Sequence, residues 1–118
     1  MNTRLQTMTF LGFLLLLLLA YWFAEQPIAV GLVPVPFDKL VHALFGASAA
    51  VMLWIIMGQK GARYIVGIVA LLSGLEEWHQ SFLPGRVPDF YDFLSAAIAA
   101  TICVVFLRYI VSRYEPIE

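Results

Sequence analysis

Residues 5–24 read LQTMTFLGFLLLLLLAYWFA and contain no charged side chain. A helix needs about 20 mostly apolar residues to cross about 30 Å of hydrocarbon, so this stretch is long enough to span a membrane. The rest of the chain has the same character, because 62% of its 118 residues are hydrophobic and only 13% are charged. Soluble domains average about 25% charged residues. The composition excludes a disordered chain and argues against a soluble globular domain.

Three further apolar stretches follow, at residues 37–57, 64–83 and 90–111. Segments rich in Pro or Gly separate the four stretches and are typical of turns. We therefore predict an all-α, polytopic membrane protein, a single domain over residues 1–118 that forms a four-transmembrane-helix bundle. No small-x-small cleavage motif follows the first stretch, so we interpret it as a retained anchor rather than a signal peptide.

The basic residues predict the orientation of the bundle. Five of the seven lie on one side of the predicted spans, and Lys39 and Arg86 lie on the other. Cytoplasmic loops carry the excess of Lys and Arg, so we expect both termini in the cytoplasm. The acidic residues are distributed the opposite way. Only Glu115 and Glu118 fall on the inner side, and the other six lie in the outer half.

Polar side chains concentrate at the outer ends of the second, third and fourth predicted spans. A charged residue at membrane depth costs about 2.5–3.5 kcal/mol, so it usually faces the protein interior and is functional. Small residues such as Gly46 and Ala96 lie on the same helix faces and allow close helix packing. We predict one outward-facing pocket between these three spans. Its expected members are Asp38, Lys39, His42, Glu76, Glu77, His79, Gln80, Arg86, Asp89 and Asp92.

Structural explanations compete with this prediction for several of these residues. Asp38 is also suited to capping a helix, and Lys39 to reaching the membrane surface. His42 fits a packing role and His79 an interfacial one. We expect an ion pair between Arg86 and Asp92, across a short loop, with either a structural or a functional role.

The charge balance of the predicted pocket gives a further expectation. The carboxyl groups of Asp38, Glu76, Glu77 and Asp92 face only Lys39 and Arg86 inside it. We expect either that Glu76 or Glu77 is protonated near neutral pH or that a cation is bound, with protonation favoured because no closely spaced metal motif is present. The ligands of such a cation would be Asp38, His42, Glu77 and Asp92. We assign no metal and no cofactor from the sequence.

Two motifs in this region resemble the VanZ-like family of small bacterial membrane proteins. The first is Asp38-Lys39-x-x-His42, followed by a Phe-Gly pair. The second combines Glu77-Trp78-His79-Gln80, the turn Pro84-Gly85-Arg86, and Asp92 at the start of the next helix. The resemblance covers about residues 37–99. The chain departs from it at Ala96 and Ala99, where the family often carries Asn or Asp and then Gly.

The resemblance implies an integral protein of the bacterial plasma membrane, in a family whose founding member is linked to resistance to the glycopeptide teicoplanin. It does not supply a reaction. The position of the predicted pocket suggests that it binds or modifies an envelope lipid or a lipid-linked cell-wall component.

Two alternative functions stay open at this stage. One is a membrane-embedded acid/base or metal-dependent enzyme acting on a lipid headgroup, with Glu77, His42 and Asp92 as candidate catalytic residues. The other is a structural or small transport protein. Membrane lipids are the expected partners, an oligomer is compatible with the sequence, and a net charge of −1 gives no indication of nucleic-acid binding.

Overall fold

The computed structural model describes residues 2–114, and over that range it contains four long α-helices and two single 3-10 turns. The helices are α1 (Thr3–Glu25), α2 (Asp38–Met57), α3 (Ala62–Gln80) and α4 (Phe90–Tyr114). The 3-10 turns are Pro27–Ala29 and Gln59–Gly61. Glu115 and Glu118, which we placed on the inner side, lie outside the described residues.

The prediction of an all-helical membrane protein is confirmed. α1, α2 and α4 are each long and apolar enough to cross a membrane. α3 is apolar over its first part but carries Glu76, Glu77, His79 and Gln80 in its last turns, which lowers its hydropathy. It packs within the same bundle as the other three helices.

Two predicted helix boundaries need correction. The third span was expected to reach residue 83, but α3 ends at Gln80, and Phe82 and Leu83 continue in tighter turns to His79 and Gln80. The cause is Pro84, because a residue before proline is disfavoured in the helical conformation. The fourth span was expected to end at residue 111, but α4 runs on to Tyr114 because no Gly or Pro interrupts it.

The packing of the bundle centres on α2 and α4, which form its most extensive helix pair. Both helices present buried small residues at the contact, namely Gly46, Ala49 and Ala50 on α2, and Ala96 and Ala100 on α4. A Cβ atom on Gly46 would overlap the Ala96 carbonyl oxygen and lie 2.7 Å from the Ala96 Cα. The two backbones are therefore in direct contact, as small residues permit in membrane helices.

The outer surface of the bundle is apolar. Large hydrophobic side chains point away from the core on α1 and α4, including Leu18 (69% exposed), Ile102 (65%) and Phe106 (59%). Contiguous exposed apolar surface of this kind marks contact with a membrane or another protein. Together with the lengths of the helices, it fits a bundle surrounded by lipid.

Candidate functional site

Lys39 lies at the centre of the polar end of the bundle. Its Nζ donates hydrogen bonds to Asp38 Oδ2 at 2.8 Å, Asp89 Oδ2 at 2.5 Å and Asp92 Oδ1 at 2.7 Å. An ammonium group has three donors, so all of them are used. Lys39 thus does more than reach the membrane surface, because it ties the start of α2 to the start of α4 and to the loop before it.

Asp89 lies in that loop, outside the membrane-spanning helices. The hydrogen bond from the Lys39 ammonium holds the pKa of the Asp89 carboxyl below its ordinary value, and the backbone N–H of Tyr91 adds to this effect. Both interactions stabilise the ionised carboxylate. Asp89 is therefore a carboxylate in the folded protein at neutral pH.

Asp92 bridges Lys39 and His42. While Oδ1 accepts from Lys39, Oδ2 lies 3.3 Å from His42 Nε2. Asp92 is 8% exposed and sits in the first turn of α4. His42 lies one turn after Asp38 on α2, as the four-residue spacing predicted.

The predicted ion pair between Arg86 and Asp92 is wrong. Arg86 Nη2 instead donates to the backbone carbonyl of Ala24 at 2.6 Å, near the end of α1. Two physical causes explain this. Both oxygens of Asp92 are already engaged by α2, and the last carbonyls of a helix lack partners within that helix.

Glu76, Glu77 and Gln80 are buried at the end of α3. Glu77 Oε2 accepts a hydrogen bond of 2.9 Å from the backbone N–H of Asp89, whereas Glu77 Oε1 is buried without a partner. Glu77 also lies close to His42 and Asp92. His42, Glu77 and Asp92 each offer one ligand atom, and these atoms are all within 4.8 Å of one another.

His79 does not join this group, contrary to the prediction. Its Nε2 lies 3.2 Å from Glu25 Oε1, and its ring centroid is 5.6 Å from that of Tyr21 on α1. Successive helical residues are rotated by about 100°, so position 79 is turned about 200° away from Glu77. The helical spacing was the one sequence feature that separates His79 from Glu77. In the structure, His79 lies against α1.

A cavity of about 380 Å³ opens beside the polar cluster, and its lining combines polar and apolar side chains. The polar lining residues are Asp38, His42, Glu76, Gln80, Arg86 and Asp92. The apolar ones include Ala20, Phe23, Val30, Leu32, Val41 and Phe45. Lys39, Glu77, His79 and Asp89, also predicted as pocket residues, are not among those that line it.

α1 and residues 29–35 also line this cavity, which we did not predict. We expected walls from the second, third and fourth spans alone. The connection 28–35 reads IAVGLVPV, which is unusually apolar for a linker. That composition is the one feature of the sequence that distinguishes this segment from an ordinary polar connection.

The chain matches no protein-family model, no curated protein and no solved structure. The chemical groups of the site are therefore the basis for its possible chemistry. The cluster supplies carboxylate oxygens, an imidazole and a guanidinium group beside an amphipathic cavity. Such groups can accept hydrogen bonds from a donor-rich ligand, hold a cation, or transfer protons.

Proposed function

We propose that this chain is a VanZ-like integral membrane protein of the bacterial envelope, and that its pocket binds the polar end of an envelope lipid or lipid-linked cell-wall component. The observation that carries the proposal is the cavity of about 380 Å³ that is lined by both polar and apolar side chains. Ligand sites typically combine apolar surface with a few convergent polar groups. A lipid presents both kinds of surface at the junction of its headgroup and its acyl chains.

The polar lining residues indicate which headgroups fit. Asp38, Glu76 and Asp92 present carboxyl groups to the cavity, and Arg86 also lines it. Carboxylates accept hydrogen bonds, so they favour hydroxyl or ammonium groups on the ligand. A glycerol, sugar or amine headgroup satisfies this requirement.

The proposal includes the orientation, with both termini cytoplasmic and the pocket facing outward. Val87 is 84% exposed in the turn between α3 and α4, and Lys60 lies in the turn between α2 and α3. In a Cys103→Ser background, Val87→Cys should react with an impermeant thiol reagent added to intact cells, and Lys60→Cys only after lysis. The reverse pattern would overturn the orientation.

Lipid binding is tested by filling the cavity. Ala20 lines it from α1, whereas the neighbouring Leu19 is 53% exposed and does not line it. We expect Ala20→Phe to lower the amount of lipid retained by the purified protein in native mass spectrometry by about tenfold, a loss of about 1.4 kcal/mol. Leu19→Phe is the matched control and should retain wild-type amounts. Equal retention by both variants would contradict the proposal.

A cellular role in glycopeptide resistance is part of the same proposal and follows from the resemblance to the VanZ-like family. Expression of the chain in a susceptible Gram-positive host should raise the teicoplanin concentration needed to stop growth, and Ala20→Phe should abolish that effect. An unchanged susceptibility at confirmed membrane expression would remove this part of the proposal.

A second candidate function is a membrane-embedded enzyme acting on a lipid headgroup. It is favoured by one observation, the 3.3 Å contact of His42 Nε2 with Asp92 Oδ2. A carboxylate that orients an imidazole is a common arrangement in general-base catalysis. Incubation with envelope lipids should then release a headgroup fragment, and Asp92→Asn should abolish the release.

A further inference from the structure

Two sets of acidic and imidazole side chains in the cluster have the dimensions of a cation site. One consists of Asp38, Asp89 and Asp92, and the other of His42, Glu77 and Asp92. The first set already contains its cation, because Lys39 Nζ lies within 2.8 Å of one oxygen from each aspartate. The second set has no ammonium at its centre.

We propose that His42, Glu77 and Asp92 form a binding site for a divalent first-row metal ion such as Mn²⁺ or Zn²⁺. The three residues come from α2, α3 and α4, so an ion here would link all three helices. His42 Nε2 and Asp92 Oδ2 are 3.3 Å apart. Two tetrahedral ligands at the usual Zn–N distance of about 2.0–2.1 Å are separated by about 3.3–3.4 Å, so these atoms already have the spacing of ligands on one ion.

Glu77 supplies an independent observation that points to a ligand. The residue is 8% exposed, and its Oε1 is buried without a hydrogen-bond partner. Its Oε2 is held by the backbone N–H of Asp89, so the carboxyl group is fixed in place. A buried polar atom without a partner is costly, and a metal ion coordinated by this residue would offset that cost.

The charges around the site favour a cation. Asp38, Asp89 and Asp92 contact Lys39, and Glu76 and Arg86 line the cavity together with Asp92. The positive charge of Lys39 would repel a second cation. However, Lys39 bonds to Asp92 Oδ1, whereas His42 contacts Oδ2 of the same carboxylate. Five carboxyl groups face one ammonium and the guanidinium of Arg86, a formal excess of negative charge that a divalent ion would reduce.

The donor set indicates the kind of ion. One imidazole nitrogen with two carboxylate oxygens suits Mn²⁺ and Zn²⁺, whereas Mg²⁺ and Ca²⁺ prefer oxygen ligands alone. His42 and Asp92 also line the cavity, so the ion would lie at its edge. Contact between the ion and a lipid phosphate would rest on the proposed function, but the metal site itself does not.

The experiment uses the full chain, purified in detergent, stripped with EDTA and titrated with Mn²⁺. We expect one Mn²⁺ per chain, with ¹⁴N coupling to the bound ion in pulsed electron paramagnetic resonance spectra. The chain offers a matched pair of histidines, because His79 lies at the same end of the bundle but contacts Glu25 instead. His42→Gln should remove the nitrogen coupling and weaken binding at least about tenfold, as should the isosteric Glu77→Gln, whereas His79→Gln should change neither.

Several outcomes would overturn the metal site. One is that the wild type binds neither Mn²⁺ nor Zn²⁺ saturably. Another is that Mn²⁺ binds without nitrogen coupling. A third is that His42→Gln and His79→Gln lose equal amounts of metal affinity. The wild-type spectra decide the matter even if a variant fails to fold. Lipid retention is measured on the same preparation. Retained lipid without metal binding would overturn the metal site alone, and metal binding without lipid would overturn the proposed function alone.

Discussion

Gly46→Ala is expected to destabilise the bundle more than the same substitution at any other glycine in the four helices. The new Cβ would overlap the carbonyl oxygen of Ala96 and lie 2.7 and 2.8 Å from its Cα and carbonyl carbon. Carbon atoms pack best at about 3.5–4.0 Å, so α2 and α4 would have to separate by about 1 Å. The obstructing atoms are backbone, so no side chain can move aside.

The expected loss is about 2–3 kcal/mol, at the upper end of the usual cost of overpacking. Gly67→Ala is the matched control, because it also adds one methyl group to a helix interior but meets nothing within 4 Å. Since alanine is the better helix former by about 0.8–1.0 kcal/mol, Gly67→Ala should be neutral or stabilising. Reversible unfolding in mixed detergent micelles, followed by tryptophan fluorescence, gives both free energies.

The same substitution should also disturb the site. Gly46 lies one turn after His42 on α2, and Ala96 one turn after Asp92 on α4, so a separation at this crossing moves these two side chains of the candidate site apart. From 3.3 Å, a shift of about 1 Å would take His42 Nε2 and Asp92 Oδ2 beyond hydrogen-bonding distance. If Gly46→Ala unfolds at the same free energy as Gly67→Ala, the close helix contact is refuted, together with its role in positioning the site.

Three further predictions concern the charged residues at this end of the bundle. Lys39→Met should cost about 2 kcal/mol, less than the 3–5 kcal/mol of a fully buried pair, because three carboxylates lose their ammonium partner; unchanged unfolding in the same assay would contradict it. Arg86→Met should cost about 1.5–3 kcal/mol through the lost bond to Ala24, whereas Arg113→Met should have no measurable effect on unfolding. The pKa of Asp89 is lowered in the folded state. Its contribution to the free energy of unfolding is therefore present above its unfolded pKa of 3.8 and is lost as the pH falls through its folded pKa. The stability difference between wild type and Asp89→Asn should therefore shrink as the pH is lowered from 6 to 2.5, and a difference that is constant over this range would contradict the role of Lys39.

The helices were predictable because the membrane imposes a simple constraint. A segment that crosses hydrocarbon must be apolar over about 20 residues and must satisfy its backbone hydrogen bonds internally. The starts of α2 and α4 therefore agree with the predicted spans to within one residue. The ends of α3 and α4 were less well predicted. A helix end depends on which groups accept or replace the hydrogen bonds of its last carbonyls, and hydropathy does not report this.

The convergence of polar residues from α2, α3 and α4 was also within reach of the sequence. Asp38 and His42 share a helix face through their spacing, and Asp92 follows a tight turn after α3. Their individual partners were not predictable. Lys39 takes three carboxylates and Arg86 takes a backbone carbonyl because of the rotation of each helix and the reach of each side chain, and neither is encoded in residue spacing.

Ligand binding at this site is expected to be coupled to the stability of the bundle. The residues that would hold a metal ion or a headgroup also join α2, α3 and α4, since Asp92 contacts Lys39 and His42 while Glu77 contacts Asp89. Any ligand that binds the folded chain but not the unfolded chain stabilises the fold. The gain is about 2.7 kcal/mol when the free ligand concentration is one hundred times the dissociation constant. The increments from a metal ion and from a lipid should add if the two sites are independent. An increment from both together that exceeds their sum would show that the ion and the headgroup favour each other's binding, as expected from their shared residues His42 and Asp92.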